Sequence, residues 1–229
     1  MSEYDESEKS TLERIDRFLL LYGGKDKLGR VIQYVLKALS YYMSTRCTGE
    51  MKELGLRFHG AYKQISVTRK TFRLGRWLNN GMSASRIIQY SRSLSLDDVL
   101  NIVANTSMAI WALLDNVIWA FSVKIIVVSK PLQEIIRTRQ RQFRILTALC
   151  KLIVAIRATQ RASMKGTKDK VQKSVLNCAK NVLDVFSYAK GAHAQWLVFN
   201  IDCHNGVSGI AGTFASLIAI YKIYTSKTK

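Results

Sequence analysis

Few side chains in this chain are placed to make or break bonds. Cys203 and His204 are adjacent, but the other histidines, His59 and His193, and the other cysteines, Cys47, Cys150 and Cys178, are scattered with no CxxC spacing. A zinc ion needs four ligands, so this pair predicts no metal site. Asp115 is the single charge in the apolar run 103–123. Inside a membrane such a group is costly and often functional; the plainer and preferred reading is a polar helix contact, with Asn105 or Asn116 as neighbours, or a helix that never fully inserts. There is no GxxxxGK[ST] phosphate loop, no GxGxxG after a strand, no HExxH and no GxSxG. The mechanisms behind those motifs are therefore not expected. The chain reads as non-enzymatic, with no cofactor.

The one concentrated chemistry is cationic. Residues 65–78, read as a helix, sort into two faces. Ile65, Val67, Phe72, Leu74 and Leu78 share an apolar arc. Arg69, Lys70, Arg73 and Arg76 lie opposite, with Trp77 near the boundary. A cationic helix with an apolar back and a Trp suits the plane of an anionic membrane surface. These ten residues are the expected lipid-binding set. The bland alternative is a solvated basic face over a core-facing apolar one.

The elements that must position this stretch read as helices. The chain has 229 residues, a net charge of +19 and a single proline, Pro131. The charge calls for an acidic partner, whether nucleic acid, anionic lipid or protein. The 48% share of hydrophobic residues argues against a disordered basic tail. Cysteine spacing fits a reducing compartment. The opening ten residues are acidic and polar, unlike a secretory or transit peptide.

Four regions follow. Residues 1–98 form an amphipathic-helix region with 17 basic and 11 acidic side chains. Its first helix spans 10–22, opened by a Ser10–Glu13 capping box and stopped at Gly23-Gly24. A second, capped by Asp26, carries Leu28, Val31, Ile32, Val35, Leu36, Leu39, Tyr42 and Met43 on one face. A third covers 54–78 and a short fourth 83–93. Residues 99–128 hold a first membrane segment, since 103–123 is long enough for a hydrocarbon layer about 30 Å thick. Residues 129–193, with 14 basic and 3 acidic side chains, form a second amphipathic region. One of its helices places Ile136, Phe143, Leu146, Cys150 and Ile153 on a stripe and ends at Gly166. Residues 194–229 hold a Gly-rich membrane segment and a short tail. In it Gly206, Gly209 and Gly212 recur at threes and Ala211, Ala215 and Ala219 at fours. Small residues so spaced let helices approach closely in lipid, which makes the three glycines the expected self-association face. The fold class is all-α: amphipathic helices plus two membrane-associated or transmembrane helices. Two such spans, and no aromatic stacking platform, set nucleic acid aside as a partner.

The chain resembles the peroxin-11 family of peroxisomal membrane proteins in three places. Residues 22–34, Tyr-Gly-Gly-Lys-Asp-Lys-Leu-Gly-Arg-Val-Ile-Gln-Tyr, look like its N-terminal motif, with Lys25 where Arg is common. Residues 65–76 look like its Leu-Ser-x-Ser/Thr-Arg-Lys-x-Phe-Arg-Leu-Gly-Lys segment. Residues 206–221 look like its Gly-rich terminal span. The resemblance implies residence in the peroxisomal membrane, or the glycosomal membrane if the host has glycosomes. It implies elongation and division of that membrane through amphipathic-helix insertion, with homo-oligomerisation and contact with fission machinery. The alternative is a small-solute channel of the same membrane, with Asp115 and basic loops lining a pore.

Overall fold

Helix α1 (Tyr22–Arg46) carries two stripes, each spaced 4-3-4-3 along the chain. Asp26, Arg30, Gln33, Lys37 and Ser40 form one; Leu28, Ile32, Val35, Leu39 and Tyr42 form the other. They start two residues apart, about 200° around a helix. A water-soluble domain would bury the second stripe. Here the arrangement is reversed. Asp26, Arg30, Gln33 and Ser40 are buried, while the five apolar side chains face out.

This computed structural model describes residues 22–226, apart from Arg92, Gly166, Thr167, Phe199 and Asn200. After α1 come α2 (Gly49–Thr71), α3 (Arg76–Tyr90), α4 (Leu96–Ser122), α5 (Lys130–Lys165) and α6 (Lys168–Tyr188). Two short 3-10 turns, Lys190–Ala192 and Gln195–Val198, lead to α7 (Asn205–Ser226). No strand occurs among the described residues, and the all-α class stands.

The helices pack in a closed ring. α1 meets α2, α2 and α3 both meet α4, α4 meets α5, α5 meets α6, α6 meets α7, and α7 returns to α1. Apolar packing between them is modest and made largely of small residues. Ile145 and Ala148 of α5 meet Val185, Ala189, Ala192, Ala194, Val198 and Cys203 in one cluster. Met108, Trp111 and Ala112 of α4, with Trp77 and Phe143, make another. Large apolar side chains instead populate the outside: Leu78, Met82 and Ile88 of α3, Leu113 and Val117 of α4, Ile135 and Ile153 of α5, Phe214 and Leu217 of α7. Among the described residues, α4 and α7 are the two helices long and apolar enough to cross a membrane. α4 starts at a capping box between Ser95 and Asp98, and Asp97 ties that end to Arg157 (2.6 Å) and Arg161 on α5.

Several expectations need correction. The helix expected over 10–22 lies outside the described residues, apart from Tyr22. Gly23-Gly24 does not stop a helix, because α1 runs through both; Gly24 is buried, and tertiary contact outweighs the roughly 1 kcal/mol helix penalty of a glycine. The helix expected over 54–78 is two helices. Residues 72–75 form an elbow, and Gly75 takes φ +75°, a left-handed conformation easy for glycine and strained for other residues. The α1 stripe and much of the α5 stripe, whose direction the spacing leaves open, lie outward: Leu146 and Ile153 are exposed, and of that set Cys150 is buried.

Candidate functional site

Inside the ring is a polar chamber of about 500 Å³, lined from every helix. α1 contributes Asp26, Lys27, Arg30, Gln33, Tyr34 and Lys37; α2 contributes Tyr62, Ser66, Arg69 and Lys70. Arg73 of the elbow and Arg76 of α3 follow, then Trp111, Asp115 and Ile118 of α4. On α5, Glu134, Arg137, Arg141 and Arg144 recur at 3-4-3 spacing and all face in. Among the described residues, eleven Lys and Arg line the chamber against three carboxylates, Asp26, Asp115 and Glu134.

Buried aspartates organise the cations. Asp26 Oδ1 accepts hydrogen bonds from Arg69 Nε (3.1 Å) and Nη2 (3.0 Å), and its backbone carbonyl accepts from Arg69 Nε at 3.2 Å. Arg69 Nη1 donates to Gln33 Oε1. Gly29 leaves room for this: a Cβ there would sit 3.2 Å from the Arg69 Cγ and Cδ. Arg73 and Arg76 add ion pairs to Asp26 at 3.6 and 3.7 Å. Burial alone would raise the Asp26 carboxyl, but Arg69, Arg73, Lys27 and Arg76 together hold it below the usual range.

Asp115 is almost fully buried. Its Oδ1 accepts from Gln140 at 2.8 Å, and its Oδ2 lies 3.2 Å from Arg73 Nη1 in an ion pair without hydrogen-bond geometry. The partners of this buried carboxylate are thus Arg73 and Gln140, and not the expected Asn105 or Asn116. At the α1–α6 contact, Asp184 accepts from Arg30 (2.5 Å) and Lys180 (2.7 Å). Aromatic faces take up further guanidinium charge: Arg73 and Arg144 stack on Trp111 at 5.1 and 4.9 Å, and Arg144 also meets Tyr188 at 5.2 Å.

The lipid-binding set is divided by this arrangement. Phe72, Leu74 and Leu78 are exposed, and Ile65 and Val67 are half-buried. Trp77 packs on the Met108–Trp111 cluster. Arg69, Lys70, Arg73 and Arg76 line the chamber, so the cationic face expected at a lipid surface is turned inward. The physical reason is Asp26, which holds three of the four. Gly206, Gly209 and Gly212 face α1 of the same chain. A Cβ on Gly209 would come within 2.8 Å of the Ala38 backbone, and one on Gly206 within 2.8 Å of the Tyr41 and Tyr42 rings. Their close approach is spent inside the molecule. His204 caps α7, its Nδ1 accepting from the backbone of Gly206 (3.1 Å) and Val207 (3.3 Å), and it stacks on Tyr41 at 4.3 Å. Cys203 beside it is fully buried. Among the described residues, no three of His, Cys, Asp and Glu gather as a metal set.

The three motifs of the sequence therefore meet at one place. Asp26, Gly29 and Gln33 of the first receive Arg69 and Arg73 of the second, and Lys37 on the same helix donates to Ser208 of the third. The family model for Peroxisomal biogenesis factor 11 (PEX11) matches residues 12–224. The chain belongs to the PEX11 family. Membership makes it a peroxisomal membrane protein of peroxisome proliferation. Searches of curated proteins and of solved structures returned no match. In this PEX11-family chain, Arg30, Gln33, Lys37, Arg137, Arg141 and Arg144 join the site without being among the residues expected from sequence. A signal existed: polar residues at 4-3-4-3 and 3-4-3 spacing mark a helix face as plainly as apolar ones do.

Proposed function

We propose that this chain elongates the peroxisomal membrane ahead of division by acting as a lipid-facing helical body whose elbow wedges one leaflet. The role is non-enzymatic. One observation carries it: the large apolar side chains lie outside the ring, and Phe72, Leu74 and Leu78, 44–51% exposed, cluster at the α2–α3 elbow. Apolar volume inserted in one leaflet expands it relative to the other and favours curvature. Exposed basic residues beside it, such as Lys63 and Arg86, can meet anionic head groups at the rim. Copies of the chain associate in the bilayer and pass the elongated membrane to the fission machinery. In a host with glycosomes, the membrane is the glycosomal one. The family match supports proliferation and lends nothing to the solute-channel alternative.

The test is reconstitution of the full chain into liposomes at increasing density, viewed by electron cryomicroscopy. Tubules are expected, and Phe72→Glu with Leu78→Glu should insert yet leave the vesicles round. A wild-type chain that inserts at high density without deforming the vesicles would sink the proposal.

A further inference from the structure

The charges of the chamber do not balance within the chain. Asp26 is committed to Arg69, Arg73 and Arg76; Asp115 to Arg73 and Gln140. Arg30 pairs with Asp184 and Lys190 with Asp202, while Glu134 offsets Arg137 from one turn away without forming an ion pair. Among the described residues, Lys27, Lys37, Lys70, Arg137, Arg141 and Arg144 have no carboxylate within 4 Å. Their polar contacts are neutral. Lys37 donates to Ser208, Arg141 to the Gly191 carbonyl (3.3 Å), and Arg144 to Met108 Sδ (2.8 Å) and the Tyr188 hydroxyl (3.4 Å). Arg30, buried beside them, leaves its Nη1 without a hydrogen-bond partner.

These six side chains are half-buried, and cations crowded together with only part of their hydration are disfavoured unless a counter-charge joins them. Desolvation and neighbouring cations bring the Lys70 ammonium down to about 8, despite Asp115, and depress Lys27 and Lys37 as well. A monocarboxylate would neutralise one of six. Guanidinium forks and ammonium donors converging from α1, α2 and α5 match an anion carrying several charges on tetrahedral oxygens. The volume falls within the roughly 300–1,000 Å³ of small-molecule sites.

We propose that the chamber is a binding site for a phosphate-bearing polyanion, held by Lys27, Lys37, Lys70, Arg137, Arg141 and Arg144. The group is either a free phosphate compound or the head group of a phosphorylated lipid. This inference is independent of the wedge proposed above, because the chamber faces away from the elbow's apolar side chains.

The full chain is placed in nanodiscs of neutral lipid and its binding of radiolabelled pyrophosphate is measured, with sodium chloride of equal ionic strength as control. Parallel discs contain phosphatidylinositol bisphosphate. Saturable, competable binding with a raised unfolding temperature is expected. A gain with pyrophosphate identifies the free compound, and a gain confined to the phosphorylated lipid identifies the head group. Lys70→Gln with Arg144→Gln should weaken binding at least about tenfold, the scale of one lost charge-assisted contact. Lys70→Gln alone should also raise the unfolding temperature of the ligand-free chain, since it removes an uncompensated charge, so loss of folding is not the expected confounder. No gain over chloride in either arm overturns the proposal. So does undiminished affinity in the double variant, which would place binding on the outer basic surface.

Discussion

Arg69 reaches across 43 positions of sequence to Asp26 and gives it two side-chain hydrogen bonds, Nε at 3.1 Å and Nη2 at 3.0 Å. Both side chains are more than nine-tenths buried. Neither helix has a comparable apolar anchor at that point, so this pair fixes how α1 and α2 cross. Removing one partner leaves the other charged and dry, a loss of about 3–5 kcal/mol. Asp26→Ala and Arg69→Ala should each lower thermal stability strongly in detergent micelles. The double variant should recover part of the loss, because no lone charge remains. Strictly additive losses would show that the two residues act apart.

How far this was readable from sequence depends on which solvent is assumed. Helix content and most helix positions followed from periodicity, the lone proline and the capping residues. The apolar stripe Leu28–Ile32–Val35–Leu39 was correctly found as a face. Its direction was not, because periodicity locates a face without saying whether water or lipid lies beyond it. Assuming water sends Leu28 inward and Arg69 outward; the fold does the opposite. The elbow at 72–75 was missed because a lone Gly75 inside a regular pattern reads as a tolerated glycine, and its positive φ is visible only in three dimensions. The spacing of the α7 glycines suggests a self-association face; the structure sets that face against Tyr34, Ala38 and Tyr41 of α1 in the same chain. Sequence alone could not say whether the facing helix belongs to the same chain.

Gly209 lies against the α1 backbone, where neither side can yield. A Cβ would meet the Ala38 nitrogen at 2.8 Å and its Cα at 3.0 Å. Gly209→Ala should therefore loosen α7 from α1 and cost on the order of 1–3 kcal/mol, the usual range for overpacking. Protease resistance of the α1–α7 contact is the readout. Crosslinking between copies should be unchanged, since the glycine face is used within the chain. If the variant lost intermolecular crosslinks and kept its stability, the glycines would belong to an oligomer seam.

The chamber makes stability depend on pH in one direction. Lys70 faces Asp115 from α4, Arg73 from the elbow, and Arg137 and Arg141 from α5, and its folded pKa of about 8 lies below the ordinary 10.5. Tyr34 faces Arg30, Lys37, Arg69 and Ser187; burial would raise its hydroxyl, but the cations bring it down to about 8 from 10.0. Between pH 8 and about 10 the unfolded chain holds both protons and the folded chain has released them. Stability rises with pH wherever the unfolded state binds more protons. The ligand-free chain should accordingly unfold at a higher temperature at pH 9.5 than at pH 7.5, and Lys70→Gln should flatten the slope. Above pH 10 the gain should reverse as Tyr188, held up to about 12 by burial, resists ionisation. A melting temperature that falls steadily from pH 7.5 to 9.5 would contradict this.

The outward direction of the apolar stripes can be checked residue by residue. Ile32, Leu39 and Phe214 are 44%, 42% and 55% exposed, and in water such a surface would aggregate. If lipid covers it, cysteines placed there meet hydrocarbon. The native Cys47, Cys150, Cys178 and Cys203 carry no disulfide and are first replaced by alanine. Ile32→Cys, Leu39→Cys and Phe214→Cys are then introduced singly in liposome-reconstituted protein. A bilayer-soluble maleimide should label all three. A charged, water-soluble maleimide should label them only after detergent is added. Met51→Cys near the start of α2, exposed among the charged side chains Glu50, Lys52 and Glu53, serves as the aqueous control. Should the charged reagent label Ile32→Cys and Leu39→Cys in intact liposomes as fast as Met51→Cys, α1 lies outside the bilayer. Its apolar stripe would then need another partner, and the inverted reading of this helix would fail.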